Sequence, residues 1–150
     1  MLEPGQQAPP FECKNHAGET VALDDFDGRV VVYFYPRADT PGCTTEACSF
    51  RDSWDEFAER DVTVLGISDD PVSDLEKFRE KYDLPFELLS DESGEVASAY
   101  DSYGEKNMFG NTFDGVFRNT FVVASDGTIE HVFADVSPDG HAEEILSTLE

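Results

Sequence analysis

The sequence lacks any segment that would direct it into or through a membrane. Its first ten residues, M-L-E-P-G-Q-Q-A-P-P, contain neither the basic cluster nor the apolar run of a signal peptide. No later stretch approaches the roughly 18 apolar residues that a membrane-spanning helix requires. We therefore expect a soluble, cytoplasmic protein, and its 150 residues suit a single domain over 1–150.

Cysteine is scarce, with three residues in the chain. An odd and small number without a signal peptide argues against a framework of structural disulfides and favours catalytic or redox use of a pair. Cys43 and Cys48 lie close together in sequence, whereas Cys13 lies apart from them after a proline-rich start. We expect Cys13 to be a small packing residue.

Basic residues are also scarce. The chain has 10 Lys plus Arg against 33 Asp plus Glu, which gives a formal net charge of -23. The acids are spread along the chain, and this charge repels the phosphates of nucleic acids and anionic membranes. We interpret it as a solvated surface suited to high salt, where self-repulsion is screened, with an acidic docking face as the alternative.

Three apolar runs predict buried strands at the centre of a sheet. They cover residues 30–35, 62–67 and 120–124 and are rich in β-branched and aromatic side chains. An alternating segment at 128–134 follows the last run through Ser125-Asp126-Gly127. This turn predicts a hairpin, because Asp-Gly tolerates the positive φ of a tight turn.

Helical spacing of apolar residues predicts three helices, at residues 41–60, 71–82 and 140–149. Pro41 and Pro71 suit the first turns of the first two helices, where the missing N–H of proline costs nothing.

The order of these elements indicates the fold class. Strands alternating with helices, followed by a hairpin and a last helix, are typical of an α/β fold. We expect a thioredoxin-like sandwich with a mixed central sheet flanked by helices. Residues 103–115 contain three glycines and show no clear period, so we expect a long loop, of the kind that is often functional.

The segment P-R-A-D-T-P-G-C, residues 36–43, lies between a predicted buried strand and a predicted helix. Thr40 is a good helix N-cap, Pro41 fits position N1, and Cys43 then falls at N3. The thiol is therefore expected in the first turn, beside free backbone N–H groups. A helix N-terminus favours the nucleophilic thiolate, by about 0.3–1 kcal/mol at exposed sites and up to about 2 kcal/mol at partly buried ones.

Arg118 stands out in a chain with few cations, because it lies at the entrance to the predicted strand at 120–124. A guanidinium stays charged, and its planar fork of donors can hold both a thiolate and substrate oxygens. Spacing alone leaves two interpretations open. Arg118 is either a catalytic cation or the partner of one of the many acids in an edge-strand salt bridge.

Pro36, Thr40 and Cys43 form P-x-x-x-T-x-x-C, which resembles the active-site signature of the peroxiredoxins. A second cysteine in C-T-T-E-A-C is similar to the bacterioferritin-comigratory, or Q-type, subgroup. The resemblance extends nearly end to end, through P-G-Q-Q-A-P-P-F, V-V-V-Y-F-Y-P, V-L-G-I-S-D-D, L-L-S-D, G-E-K-N-M-F-G-N-T-F-D-G-V-F-R and D-G-T-I-E-H-V-F. It implies the peroxiredoxin fold and a thiol-dependent peroxidase that uses no cofactor and no metal.

The resemblance also implies a role for each matching residue. Cys43 would be the peroxidatic cysteine that becomes a sulfenic acid, and Cys48 would resolve it as an intramolecular disulfide. Thr40 would hydrogen-bond the substrate oxygen and the thiolate, Arg118 would stabilise the thiolate and the developing charge, and Pro36 would shield the pocket. The substrates would be hydrogen peroxide and organic hydroperoxides, a thioredoxin-type dithiol would be the reductant, and the protein would be a monomer.

The two cysteines cannot bond within an intact helix that begins at Pro41. Five residues of α-helix separate their Cα atoms by roughly 8–9 Å, from the rise of 1.5 Å per residue and the radius of about 2.3 Å. A disulfide needs about 4.4–6.8 Å. The sequence therefore predicts that the first turns of this helix open when Cys43 and Cys48 pair.

Two other functions fit parts of the sequence. A thioredoxin-like disulfide oxidoreductase usually carries C-x-x-C, whereas C-T-T-E-A-C has a wider spacing. A metal-binding structural module would combine the cysteines with His16, His131 or His141, which are scattered and unpaired, unlike most zinc ligands. We expect His16 and His131 to be surface or strand-edge residues. Glu46 is at most a helper at the site, and its alternative role is that of a solvated helix acid.

Overall fold

A mixed sheet of seven strands forms the centre of the protein in this computed structural model, which describes residues 2–108 and 110–149. The nine strands of the described residues are β1 (Glu12–Asn15), β2 (Thr20–Ala22), β3 (Arg29–Phe34), β4 (Val62–Ser68), β5 (Glu87–Ser90), β6 (Tyr103–Met108), β7 (Asn111–Val116), β8 (Thr120–Val123) and β9 (Ile129–Phe133). The order across the large sheet is β2-β1-β5-β4-β3-β8-β9, and β6 and β7 form a separate two-stranded sheet.

The three predicted central strands are confirmed as β3, β4 and β8, with ends that differ by one residue. Strand β3 pairs in parallel with β4 and antiparallel with β8, so these apolar runs lie side by side. The predicted hairpin is also confirmed, because β8 and β9 pair antiparallel and Gly127 takes a φ of 91° in the turn between them. The short strands β1, β2 and β5 were not expected from the sequence.

Five α-helices are present in the described residues: α1 (Pro41–Asp52), α2 (Trp54–Glu59), α3 (Val72–Lys81), α4 (Glu95–Ala99) and α5 (His141–Thr148). The prediction of one helix over 41–60 is wrong, because Ser53 ends α1 and begins α2. Its carbonyl accepts the N–H groups of Glu56 and Phe57, which starts a new helix, and serine is favoured at such ends. No helix in the described ranges is long and apolar enough to span a bilayer.

Pro71 does not lie within the first turn of α3, as the sequence predicted. It is the residue before the helix, with φ -71° and ψ 160°, and its carbonyl accepts the N–H groups of Asp74 and Leu75. The extended ψ is the reason, since a residue inside the helix needs a negative ψ near -42°.

The predicted loop at residues 103–115 is wrong, because these residues build the hairpin of β6 and β7. Gly104 and Gly115 face each other in this hairpin, and a Cβ on Gly104 would lie 3.2 Å from the ring of Phe117. A Cβ on Gly115 would lie 3.3 Å from the side chain of Lys106. These two glycines therefore mark crowding within a hairpin, which the sequence pattern does not distinguish from a loop.

The sheet separates two apolar cores. Successive residues of β3 alternate between them, as the period of a strand requires, with Tyr33 in one core and Phe34 in the other. Helices α1, α2, α3 and α5 cover the face that includes Tyr33, whereas α4 and the N-terminal segment cover the opposite face. Cys13 is buried in that second core, so its predicted packing role is confirmed.

Candidate active site

Cys43 lies in the first turn of α1, at the position the sequence predicts. The helix begins at Pro41, and the N-cap Thr40 has extended backbone angles of φ -95° and ψ 157°. Cys43 is therefore the third helical residue, where backbone N–H groups have no partner further back in the helix. Its side chain turns inward and is 1% exposed, in the core under α1.

The hydroxyl of Thr40 does not cap α1. It donates a hydrogen bond of 2.8 Å to the carbonyl of Arg37. A hydroxyl has one donor and two acceptor lone pairs, so this bond leaves the oxygen of Thr40 able to accept a hydrogen bond from another group. Thr40 is half-buried at the surface end of the site.

Arg118 lies between β7 and β8 and reaches the thiol from the sheet. Its Nη2 atom donates to Sγ of Cys43 over 3.3 Å, and its Nη1 atom donates to Oε1 of Glu46 over 2.7 Å. Arg118 therefore contacts the thiol and pairs with an acid at the same time. The acid is on α1, so the predicted salt bridge on an edge strand is wrong. Burial alone would lower the pKa of Arg118, and the attraction of Glu46 and Cys43 raises it.

Gly42 allows the guanidinium to come close to α1. A Cβ on Gly42 would lie 3.2 Å from Nη2 of Arg118 and 3.6 Å from the ring of Pro138. The first of these distances is tighter than ordinary van der Waals contact, so a larger residue would push Arg118 from the thiol.

Glu46 is fully buried, and its alternative role as a solvated helix acid is wrong. It follows Cys43 by three residues, which places both side chains on the same face of α1. Burial raises the pKa of Glu46 to about 7, and Arg118 opposes this shift. Its second oxygen, Oε2, is buried and has no hydrogen-bond partner among the described residues.

Two tyrosines of β3 and its C-terminal end lie in the same core as the thiol, and the sequence analysis missed them. Tyr33 and Tyr35 are buried, and the Tyr33 ring stacks on Phe50 of α1 with 4.6 Å between centroids. Burial raises the pKa of both phenols well above the usual value, so they are neutral. The alternation of side chains along V-V-V-Y-F-Y puts the two tyrosines on one face of the sheet. This pattern could have identified them from the sequence.

The segment that carries Thr40 is attached to the neighbouring strand and helix. Asp70, just after β4, accepts the N–H of Ala38 at 2.7 Å and the hydroxyl of Ser68 at 2.8 Å. Asp39 forms an ion pair of 3.0 Å with Lys81 at the end of α3. These residues fix the path from β3 to α1, and sequence analysis did not identify them.

Pro36 begins the segment between β3 and α1 and is half-buried. It follows Tyr35 directly, whose N–H donates to the carbonyl of Ile67 and so extends the pairing of the two central strands by one residue. Pro36 therefore lies where the sheet ends and the segment turns toward Thr40.

Lys106 of β6 is a second cation near the thiol. Its Nζ lies 5.6 Å from the centre of the Phe117 ring. Burial and the charge of Arg118 lower the pKa of Lys106, while Cys43 and Asp69 raise it. The predicted loop was wrong as to structure, but the hairpin does bring a charged group toward the site.

Cys48 lies in α1 with Cys43, and the helix is continuous between them. Cys43 is buried, Cys48 is half-buried, and both thiols are free. The continuity of the helix, on which the predicted opening depends, is thus confirmed.

The structure does not assemble the residues of the metal-binding alternative. Cys13 lies on the opposite face of the sheet from Cys43. His131 is on the edge strand β9, as predicted, while His141 is buried at the start of α5. Across residues 2–108 and 110–149, no group of three or more His, Cys, Asp or Glu is arranged to hold a metal ion.

Comparison with known proteins places this site in context. The model of the AhpC/TSA family matches residues 4–132. Peroxiredoxin Bcp of Escherichia coli K12 is 47% identical over 149 residues, which cover 99% of this chain and 96% of the relative. Peroxiredoxin Bcp of Bacillus subtilis is 44% identical, with coverage of 99% and 95%.

Solved structures that resemble this chain include proteins of the same kind. Peroxidoxin BcpB from Mycobacterium tuberculosis matches with a TM-score of 0.89 and 39% identity, over 99% of this chain and 97% of that one. The bacterioferritin comigratory protein of Xanthomonas campestris, described in trapped intermediate and ligand complexes of alkyl peroxide reduction, matches with a TM-score of 0.87 and 32% identity. That match covers 93% of this chain and 89% of the other.

Proposed function

Because this chain belongs to the AhpC/TSA family and is a peroxiredoxin, a thiol peroxidase, we propose that Cys43 is the residue that attacks the hydroperoxide. The observation that carries this proposal is the 3.3 Å contact between the Arg118 guanidinium and Sγ of Cys43. A fixed positive charge and a helix N-terminus both act on this sulfur, and both favour the thiolate that acts as nucleophile.

In the proposed cycle, the thiolate sulfur of Cys43 bonds to one peroxide oxygen, and the O–O bond breaks. The other oxygen takes a proton and leaves as water or an alcohol, while the sulfur becomes a sulfenic acid. The thiol of Cys48 then displaces water from the sulfenic acid, which forms the disulfide. An external dithiol of the thioredoxin type reduces this disulfide by thiol exchange.

Arg118 is suited to the leaving oxygen of the peroxide, and Thr40 is suited to its O–H group. Arg118 already directs its donors to the sulfur, and a planar guanidinium can contact two acceptors at once. Thr40 keeps acceptor lone pairs that can orient the O–H of a hydroperoxide. Pro36, half-buried where β3 ends, is proposed to restrict water at the mouth of the site. Preorganised donors such as those of the Arg118 guanidinium stabilise charge as it develops on oxygen.

Hydrogen peroxide and organic hydroperoxides are the proposed substrates. The Xanthomonas campestris relative, whose structures concern alkyl peroxide reduction, supports the organic class. We also propose that residues 1–150 act as one domain and one subunit in the cytoplasm. The net charge of -23 supports a salt-adapted setting, because dissolved ions screen repulsion between surface carboxylates.

The test is turnover of peroxide with a dithiol reductant by wild type, Cys43→Ser and Cys48→Ser. Cys43→Ser is expected to abolish turnover. Cys48→Ser is expected to reduce about one equivalent of peroxide and to leave a sulfenic acid on Cys43, which a trapping reagent and mass spectrometry identify. Cys13→Ala is the control, since Cys13 lies across the sheet, and it is expected to keep full turnover. Undiminished activity of Cys43→Ser would contradict the proposal.

A further inference from the structure

One cation at the site faces two buried acids. The Arg118 fork donates from Nη2 to Cys43 and from Nη1 to Glu46, at 3.3 Å and 2.7 Å. Cys43 is 1% exposed and Glu46 is 0% exposed, so water cannot solvate a charge on either. A guanidinium carries one positive charge. If both acids were ionised, Arg118 could balance only one of them, and burying an unbalanced charge is costly.

The other titratable groups around this pair do not supply the missing charge to Glu46. Tyr33 and Tyr35 face both acids from β3 and its end, and burial keeps their phenols neutral. His141 of α5 faces Arg118, and burial lowers the pKa of its ring, which favours the neutral form. Lys106 of β6 is a second cation whose charge acts on Cys43, but among the described residues it forms no hydrogen bond or ion pair with either acid. Arg118 is therefore the only cation of the described residues in direct contact with the pair.

The hydrogen bonds of Glu46 also fit a neutral carboxyl. Oε1 accepts from Arg118, whereas Oε2 is buried and has no partner among the described residues. A carboxylate spreads its charge over both oxygens and would leave a charged atom without a donor. A protonated carboxyl carries its hydrogen on one oxygen, which removes that charge. Its O–H still lacks an acceptor, but leaving a neutral polar group unpaired in the interior costs far less than leaving a charge unpaired there.

We propose that Glu46 holds the proton that Cys43 gives up, so that the reduced site contains a Cys43 thiolate, the Arg118 cation and a neutral Glu46 carboxyl. Glu46 and Cys43 thus form a coupled pair that keeps one proton between them. This inference rests on the proposed role of Cys43 as the attacking thiolate.

The proton returns in the peroxide step. The sulfur of Cys43 forms an S–O bond, the O–O bond breaks, and the leaving oxygen carries away the electron pair of that bond. The sulfenic acid is neutral, so Arg118 then balances Glu46 alone, and Glu46 ionises. Its proton completes the water or alcohol, which makes the sum Cys-SH plus R-O-O-H to Cys-SOH plus R-OH. Site charge is unchanged, because a thiolate is lost and a carboxylate appears.

Infrared spectroscopy tests this proposal through the carbonyl stretch of a protonated carboxyl. The measured quantity is the pH at which this band is half lost in the folded, reduced protein. Glu46→Gln is expected to remove the band, and Glu56→Gln, which changes an exposed acid of α2, is expected to leave it as in wild type. Cys43→Ser removes the competing anion, so we expect its midpoint to be lower than that of wild type by at least one pH unit, a tenfold change in the equilibrium.

Oxidation should have the same effect as Cys43→Ser. In Cys48→Ser treated with one equivalent of peroxide, the band is expected at a midpoint at least one pH unit lower than before treatment. Equal midpoints in reduced wild type and Cys43→Ser, or the absence of the band from reduced wild type, would overturn the proposal. If peroxide leaves Cys43 unmodified by mass spectrometry, the proposed function fails instead, and the comparison of the two reduced proteins still decides where the proton lies.

Discussion

Cys48 follows Cys43 in one uninterrupted helix, α1, and the two thiols are on successive turns of it. Helix geometry holds their Cα atoms roughly 8–9 Å apart, beyond the reach of about 4.4–6.8 Å that a disulfide allows. Forming the bond must therefore break backbone hydrogen bonds of the first turns, including the 2.8 Å bond from Thr44 N–H to the carbonyl of Thr40.

Hydrogen exchange should detect this opening. When the Cys43–Cys48 disulfide forms, we expect amide protection across residues 44–49 to fall by at least tenfold, because the helical bonds that slow exchange are lost. Strand β4 lies in the middle of the sheet and is the internal control, with unchanged protection expected. Equal protection of 44–49 in both redox states, with the disulfide confirmed by mass spectrometry, would mean that the bond forms without unwinding.

Replacing Arg118 by Ala should slow the oxidation of Cys43 by peroxide at least tenfold, which corresponds to about 1.4 kcal/mol. The cation beside the sulfur is lost, and so is a donor for the leaving oxygen. Arg118→Lys should recover only part, because an ammonium lacks the planar fork. Rapid-quench mass spectrometry gives the rate, and Arg29→Ala, which breaks the ion pair with Glu130 on β9, is the control. A normal rate for Arg118→Ala would reduce the residue to a salt-bridge partner.

Glu46 should make folding stability depend on pH. Its pKa is raised by burial, from 4.5 to about 7, so the folded protein binds more protons than the unfolded chain between these values. The stabilising contribution is complete below pH 4.5 and is lost as the pH rises through about 7. Urea denaturation should therefore show that wild type loses stability relative to Glu46→Gln over this range.

The comparison between wild type and Glu46→Gln is needed because His141 changes folding stability with pH in the opposite direction. Burial lowers the pKa of His141, so its contribution is lost as the pH falls below its ordinary value of 6.5. Subtracting the Glu46→Gln curve from that of wild type cancels this contribution and isolates Glu46. A difference between wild type and Glu46→Gln that does not vary with pH would contradict the prediction.

His141 joins α5 to the sheet through a buried hydrogen bond. Its Nε2 atom lies 2.8 Å from the hydroxyl of Thr120, which is fully buried on β8, and its ring packs edge-on against Phe50 and Phe133. His141→Phe leaves that hydroxyl unsatisfied and is expected to cost about 1–3 kcal/mol in the free energy of unfolding.

A double variant tests the cause of that loss. Thr120→Val with His141→Phe removes both polar groups, and we expect it to recover part of the stability in urea denaturation. Glu144→Gln is the control, because the Glu144 side chain is 59% exposed although it contacts Nδ1 of His141 at 3.0 Å. If the double variant is as unstable as the sum of the two single variants, packing and not the hydrogen bond is the cause.

Salt should stabilise the protein at neutral pH. Repulsion within a chain of net charge -23 opposes the compact state, and the screening length falls from about 10 Å at 0.1 M salt to about 3 Å at 1 M. The urea midpoint is expected to rise between these concentrations of potassium chloride. Near pH 4, close to the isoelectric point of about 4.1 that the sequence gives, the net charge is small, so the rise should be much smaller. The same rise at both pH values would assign it to a general salt effect.

Local signals explain which parts of the fold the sequence predicts. The central strands are long β-branched and aromatic runs, the β8–β9 turn contains Asp126-Gly127, and α1 begins at Thr40-Pro41. Each of these depends on a few neighbouring residues. The strands β1, β2 and β5 have three or four residues each and depend on pairing with distant partners, so no local pattern distinguishes them.

The candidate site also combines features that neighbouring residues determine with features that distant residues determine. The position of Cys43 in the first turn follows from the residues just before it. The burial of Glu46 depends on Arg118, which is 72 residues away in sequence, and helix periodicity alone does not identify that partner. Asp70 is similar, because its carboxylate is bonded to Ala38, 32 residues earlier.

Three cysteines permit three different disulfide pairs. The position of Cys13 disfavours the two pairs that include it. Cys13 lies in the core on one face of the sheet, whereas Cys43 and α1 lie on the other. Burial raises the pKa of Cys13 to about 12, so this thiol stays protonated and is a poor partner for exchange. If Cys43 is oxidised and α1 opens as proposed, Cys48 is the remaining cysteine on the same side of the sheet. The fold thus separates Cys13 from the other two cysteines, so the proposed disulfide between Cys43 and Cys48 would form without competition from Cys13 of the same chain.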